Sequence, residues 1–132
     1  MTRLSDIPHA ARKRARTEDA LQIAAVTALG LILAPEVVFF HVPNGGFRRK
    51  AEAARLSAMG VRAGVPDLLF LHAERCFGVE LKSATGRTSP EQKAAHAAFA
   101  AAGVLVAVAR SLPEILGALT SWNIPMRGRV TI

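Results

Sequence analysis

Asp67, Glu80 and Lys82 are residues whose types and spacing can do chemistry together. Asp67 opens one apolar run, residues 68–72, and Glu80 stands near the end of the next, residues 76–82, with only Ala73, Glu74 and Arg75 between them. Two short apolar runs so joined read as an antiparallel hairpin of central strands, and closing it brings both carboxylates to one end of a sheet. Side chains alternate along a strand, so Glu80 and Lys82 share one face while Val79 and Leu81 serve the other. Carboxylates held together repel, and burial raises the pKa of one unless a cation is present; Mg²⁺ or Mn²⁺ among hard oxygen ligands resolves that conflict. Such an ion polarises a phosphate oxygen and acidifies an attacking water, while Lys82 can orient that water or neutralise charge on the phosphorane. The chemistry expected is phosphodiester hydrolysis. Singly, each residue has an ordinary reading: an Asp after proline is often a turn residue, and Glu and Lys two apart on a strand often form an exposed pair.

In combination they say more. Gly64-Val65-Pro66-Asp67-Leu68, followed thirteen residues after Asp67 by Glu80-Leu81-Lys82, resembles the motif of PD-(D/E)xK nucleases. The likeness is closer to one branch, the VRR-NUC family, and runs from residue 18 to about residue 119. It includes Glu18 on the first helix, the stretch His41-Val42-Pro43-Asn44-Gly45-Gly46 after a strand, and Gln92 on the helix after the central motif. The resemblance implies a restriction-endonuclease-like α/β fold, with metal bound by Asp67, Glu80 and the Leu81 backbone carbonyl. It makes Lys82 catalytic and has Glu18 and Gln92 complete the site. It also implies a DNA endonuclease, since stand-alone members look like dimeric junction resolvases and fused members cut flaps. With one site per chain, symmetric cutting of two strands requires a homodimer.

The elements that must position these residues are legible in outline. Thr17 reads as an N-cap followed by Glu18 and Asp19, opening an amphipathic helix through Leu21, Ala25, Leu29 and Ile32 that ends before Pro35. Residues 37–41 read as a strand leading into the Pro43 to Gly46 loop, and residues 48–59 as a basic helix stopped by Gly60. Ser89-Pro90-Glu91-Gln92 is a capping box opening a helix to about Ala102, with Gly103 stopping it. Residues 104–109 read as a buried strand, and Ser111 to Glu114 as a second capping box starting a helix through Leu119. This order predicts a mixed sheet of about four strands with helices on its faces. Residues 1–16 read as a flexible basic arm, 17–122 as the nuclease-like domain and 123–132 as an irregular tail.

A formal charge of +7 on 132 residues favours a polyanionic partner. DNA contacts are expected from Arg12, Lys13 and Arg14 of the arm, from Arg48, Arg49 and Lys50 at a helix start, and from Asn44, Gly45 and Gly46, whose glycines let a backbone come close. His41 is either a strand-end packing residue or one that approaches the scissile phosphate. Glu18 has a second reading as a partner of the helix dipole, Gln92 as a helix cap, and the basic cluster as a solvated face. His72 and His96 lack partners at metal-ligand spacing and read as structural. One cysteine excludes an internal disulfide and a cysteine-based zinc cluster, and no apolar run reaches membrane-spanning length, so a soluble protein of a reducing cytoplasm is expected, with no membrane partner. The alternative to an enzyme is a nucleic-acid-binding module that uses the arm and the Arg48 to Lys50 cluster without cleaving.

Overall fold

The computed structural model describes residues 9–43 and 50–128, with side chains from Thr17 onward in the first helix. The elements in chain order are α1 His9–Ile32, β1 Val38–His41, α2 Lys50–Ala58, β2 Leu68–His72, β3 Arg75–Leu81, α3 Pro90–Ala101, β4 Leu105–Ala109 and α4 Leu112–Ser121. The strands form one sheet in the order β1-β2-β3-β4. The first three are antiparallel neighbours, and β4 lies parallel to β3 after the α3 crossover. This is the mixed sheet expected, with β2 and β3 at its centre.

The hairpin register pairs Leu68 with Val79 and His72 with Arg75, which leaves Ala73 and Glu74 as a two-residue turn. Both have left-handed φ, +50° and +65°, as a type I′ hairpin turn requires. On one face of the sheet, Leu68, Phe70, Phe77, Val79, Leu81 and Ala109 pack with Ala25 and Leu29 of α1 and with Ile115, Leu116 and Leu119 of α4. Each larger side chain buried there contributes roughly 1.5–3 kcal/mol. Phe70 stacks on Phe39 at 5.8 Å between ring centroids, and Phe77 on Trp122 at 4.7 Å. The opposite face carries Glu80 on β3, with α3 over it.

Several sequence expectations are corrected. The first helix begins at His9 rather than at Thr17, so the backbone of Arg12, Lys13 and Arg14 is helical where a flexible arm was expected. The cause is propensity: residues 9–16 hold Ala, Arg, Lys and His with no glycine or proline, and helix needs no apolar face to continue through them. Strand β4 is not buried throughout, because it is an edge strand whose Leu105 and Val108 are exposed. The second capping box is only half formed. Ser111 accepts from the Glu114 amide, but the Glu114 carboxylate reaches back to the amide of Arg110. The segment after Trp122 is irregular yet attached: Ile124 is buried, Met126 bridges Leu33, and the Arg127 amide donates to the Ile32 carbonyl. No helix among the described residues is long and apolar enough to cross a membrane.

Candidate active site

Asp67 precedes β2, one residue beyond the His41–Leu68 pair that closes the ladder with β1. Its Oδ2 accepts from the Leu81 amide at 2.8 Å, which takes the place of a strand partner and ties the acid to the end of β3. Its backbone carbonyl accepts from the Val42 amide at 2.9 Å and lies 2.8 Å from His41 Nδ1. A carbonyl can only accept, so His41 carries its proton on Nδ1 and acts on Asp67 from behind. Pro66 lies across β3 at Gly78, where a Cβ would stand 2.7 Å from the proline Cγ. That close approach seats Asp67 beside Glu80.

Glu80 is 3% exposed and Lys82 is 7% exposed, which removes the solvated ion pair as a reading of these two residues. Lys82 Nζ stands 4.0 Å from Glu80 Oε1. The same oxygen accepts from Gln92 Nε2 at 2.9 Å, while the Gln92 Oε1 accepts from the Ser89 amide at 2.9 Å. One amide group therefore both closes the capping box and touches Glu80. We expect Gln92→Ala to slow any cleavage by about 10–100-fold, the usual effect of losing a group that orients a ligand. It should also cost about 0.5–1 kcal/mol of stability from the lost cap, both read by initial rates and thermal melting. A fully active variant would leave Gln92 as a helix cap alone.

The other carboxylate oxygen of Glu80 is the unusual atom. Oε2 faces His96 Nε2 at 3.7 Å, and among the described residues neither atom has a hydrogen-bond partner although both are shut off from solvent. Burial pushes the Glu80 carboxyl up to about 9, helped by the charge of Asp67 and, less, of Glu18, and opposed by Lys82. Burial, with Lys82, holds His96 below the ordinary imidazole range, and Asp67 opposes this.

Glu18 is brought to the same place. Because α1 starts at His9, Glu18 lies in its third turn and cannot serve the helix dipole. Its Oε1 accepts from the Ser83 amide at 3.2 Å, just past Lys82. The Arg110 guanidinium donates to the carbonyls of Ser83 and Gly86, so the turn after the central motif is fixed from two sides. His96 is the residue that sequence reasoning missed. The available signal was its place one helical turn after Gln92, on the same face of α3.

Of the expected DNA-contacting residues, His41 lies against Asp67, and most of the others fall outside the described residues. Asn44, Gly45, Gly46, Arg48 and Arg49 lie outside the described residues, as do the side chains of Arg12, Lys13 and Arg14. Lys50 is exposed at the start of α2, a helix with no buried residue. An open cavity of about 390 Å³ lined by Glu36, Leu71, His72 and Cys76 lies at the hairpin-turn end of the sheet, away from the acids. Among the described residues no three His, Cys, Asp or Glu side chains enclose an ion by themselves. Any cation here would take backbone, water or phosphate oxygens beside its side-chain donors, and the unpaired Glu80 oxygen beside Asp67 suits that arrangement.

The family profile of the VRR-NUC domain matches residues 26–113, which takes in Asp67, Glu80, Lys82, Gln92 and His96 but not Glu18. No curated protein matches the chain. One solved structure, described as a VRR_NUC domain protein, is 23% identical, with 83% of this chain and 90% of that one covered at a TM-score of 0.67. A second, described as a VRR_NUC domain, is 24% identical over 80% of this chain and 95% of its own, with a TM-score of 0.49. The first has the fold found here, and the profile spans two thirds of the sequence, so the chain belongs to the VRR-NUC family and carries its nuclease-type fold.

Proposed function

We propose that this protein is a Mg²⁺- or Mn²⁺-dependent DNA endonuclease that hydrolyses phosphodiester bonds in branched or flapped DNA, working as a homodimer. The observation that carries the reading is the Glu80 carboxyl, buried beside a second acid with one oxygen unpaired. A purely structural glutamate in that position costs stability, whereas a divalent ion would satisfy it. Asp67, Glu80 and the Leu81 carbonyl are the donors that would hold the ion. When bound, it supplies Lewis acidity to a phosphoryl oxygen and lowers the pKa of a water.

The remaining work falls to the chain's own groups. Lys82 brings a buried ammonium beside the acids, where it orients the attacking water and offsets charge on the phosphorane. Gln92 fixes the rotation of the Glu80 carboxylate, and His41 fixes the backbone of Asp67. The charge of +7 supports a polyanionic substrate. Val38, Phe40 and Leu71 are exposed on the half of the Glu80-bearing sheet face that lies over β1 and β2, and they support contact with a second copy.

The test is cleavage of labelled linear, flap, splayed and four-way DNA with Mg²⁺, Mn²⁺ or chelator. We expect metal-dependent cutting of at least one branched form, slowed about 100-fold in Lys82→Ala with DNA affinity retained. Equal rates in wild type and Lys82→Ala would point to a contaminating nuclease. Binding without cleavage under every metal condition would make the protein a nucleic-acid-binding module instead.

A further inference from the structure

We propose that His96 is a nitrogen ligand of the divalent cation, so that the site takes an ion such as Mn²⁺ in preference to Mg²⁺; this rests on the metal-dependent reading above. His96 Nε2 and Glu80 Oε2 are both closed to solvent, both without a hydrogen-bond partner among the described residues, and 3.7 Å apart. That is too long for a hydrogen bond. Two donors about 2.0–2.2 Å from a shared ion stand about 2.8–3.1 Å apart at a right angle and up to about 3.6 Å at a tetrahedral one, so one cation can bridge the pair once it closes by less than about 1 Å. Buried polar atoms are seldom left unsatisfied, and two that face each other call for something between them.

The surroundings favour an ion over a second purely polar role. His96 projects from α3 one turn after Gln92, and Gln92 already holds the other oxygen of the same carboxylate. Helix α3 therefore fixes both the acid and the imidazole. With its proton on Nδ1, the imidazole turns a lone pair on Nε2 toward Glu80, available to an ion. Replacing one oxygen donor by imidazole shifts preference toward transition ions, since Mg²⁺ favours carboxylate, carbonyl and water.

The test is Mn²⁺ binding to the full chain, followed by loss of the free-ion electron paramagnetic resonance signal, with pulsed measurements of nitrogen modulation on the bound ion. We expect ¹⁴N modulation in wild type, replaced by a ¹⁵N pattern when histidine alone is ¹⁵N-labelled, kept in His41→Ala and lost in His96→Ala. His96→Ala and His96→Asn should weaken Mn²⁺ binding by about 10–100-fold and Mg²⁺ binding, measured by competition, about threefold or less. Bound Mn²⁺ that depends on Asp67 yet shows no histidine nitrogen in wild type would overturn the His96 assignment and leave the metal-dependent reading standing. Absence of any Mn²⁺ binding to wild type would overturn both. The labelling arm needs no variant, so poor folding of a substituted protein does not decide the outcome.

Discussion

Glu80→Gln should abolish metal-dependent cleavage, by about 10³-fold or more, and at the same time raise the melting temperature of the metal-free protein above pH 7. Both effects come from one group. The carboxyl has an ordinary value of 4.5 and is pushed up to about 9 in the folded, cation-free protein, first by burial and next by Asp67. With a raised folded pKa the native state keeps a proton that the unfolded chain has already released. Stability is then fully present below about pH 4.5 and falls as pH rises toward 9. Between pH 5 and 8 the metal-free wild type should lose on the order of 2–4 kcal/mol by this route. Glutamine keeps the shape and cannot ionise, so the variant's melting temperature should stay nearly level over the same range. Mn²⁺ should restore the wild type at pH 8 and do little for the variant, because binding to the native state alone is what stabilises it. Parallel pH profiles for the two proteins would show that Glu80 is not the strained acid.

The same carboxyl shows how far the sequence could be read. That Asp67 and Glu80 meet follows from two apolar runs and a connection too short for anything but a hairpin, and local features of this kind carried most of the fold. Gly60 and Gly103, both with left-handed φ, end α2 and α3 as expected. Ser89 and Gln92 start α3 in the capping box their spacing announced. The hairpin turn was harder to read, because Ala73-Glu74 lacks the Asn-Gly or Asp-Gly signal although both residues take up the left-handed conformation.

Readings that depended on distant partners were less secure. His96 looked isolated because its neighbour in space is Glu80 on another element, sixteen residues earlier in the chain. The 124–127 segment looked loose because its hydrogen bonds go to the end of α1, and its buried Ile124 has no periodic pattern around it. The apolar run at β4 could not say that it would lie at an edge, since sheet order is a property of the whole chain. Glu18 shows the reverse case. It was singled out by resemblance, and its contact with the Ser83 amide became interpretable only once α1 was seen to start two turns before it.

Gly64→Ala should be the most damaging single-methyl change near the site, for a reason that Gly60→Ala isolates. Both glycines have left-handed φ, +82° at Gly64 and +101° at Gly60. A Cβ at Gly60 meets nothing within 4 Å, whereas at Gly64 it would fall 2.4 Å from the Glu91 carbonyl oxygen and 2.7 Å from the Gln92 amide nitrogen. Gly60→Ala therefore pays only the conformational term, about 1 kcal/mol. Gly64→Ala adds a collision with backbone in the first turn of α3, which cannot be relieved by rotating a side chain, and should cost about 3–5 kcal/mol in total. For a domain of this size that is a fall of roughly 10–20 °C in melting temperature. If the protein instead shifts α3 to make room, Gln92 and His96 move away from Glu80 together, since both ride on that helix. Stability would then be partly spared while cleavage and Mn²⁺ affinity fall. Equal melting temperatures and activities for the two variants would mean that α3 is not clamped by Gly64, and that the placement of Gln92 and His96 over Glu80 has some other origin.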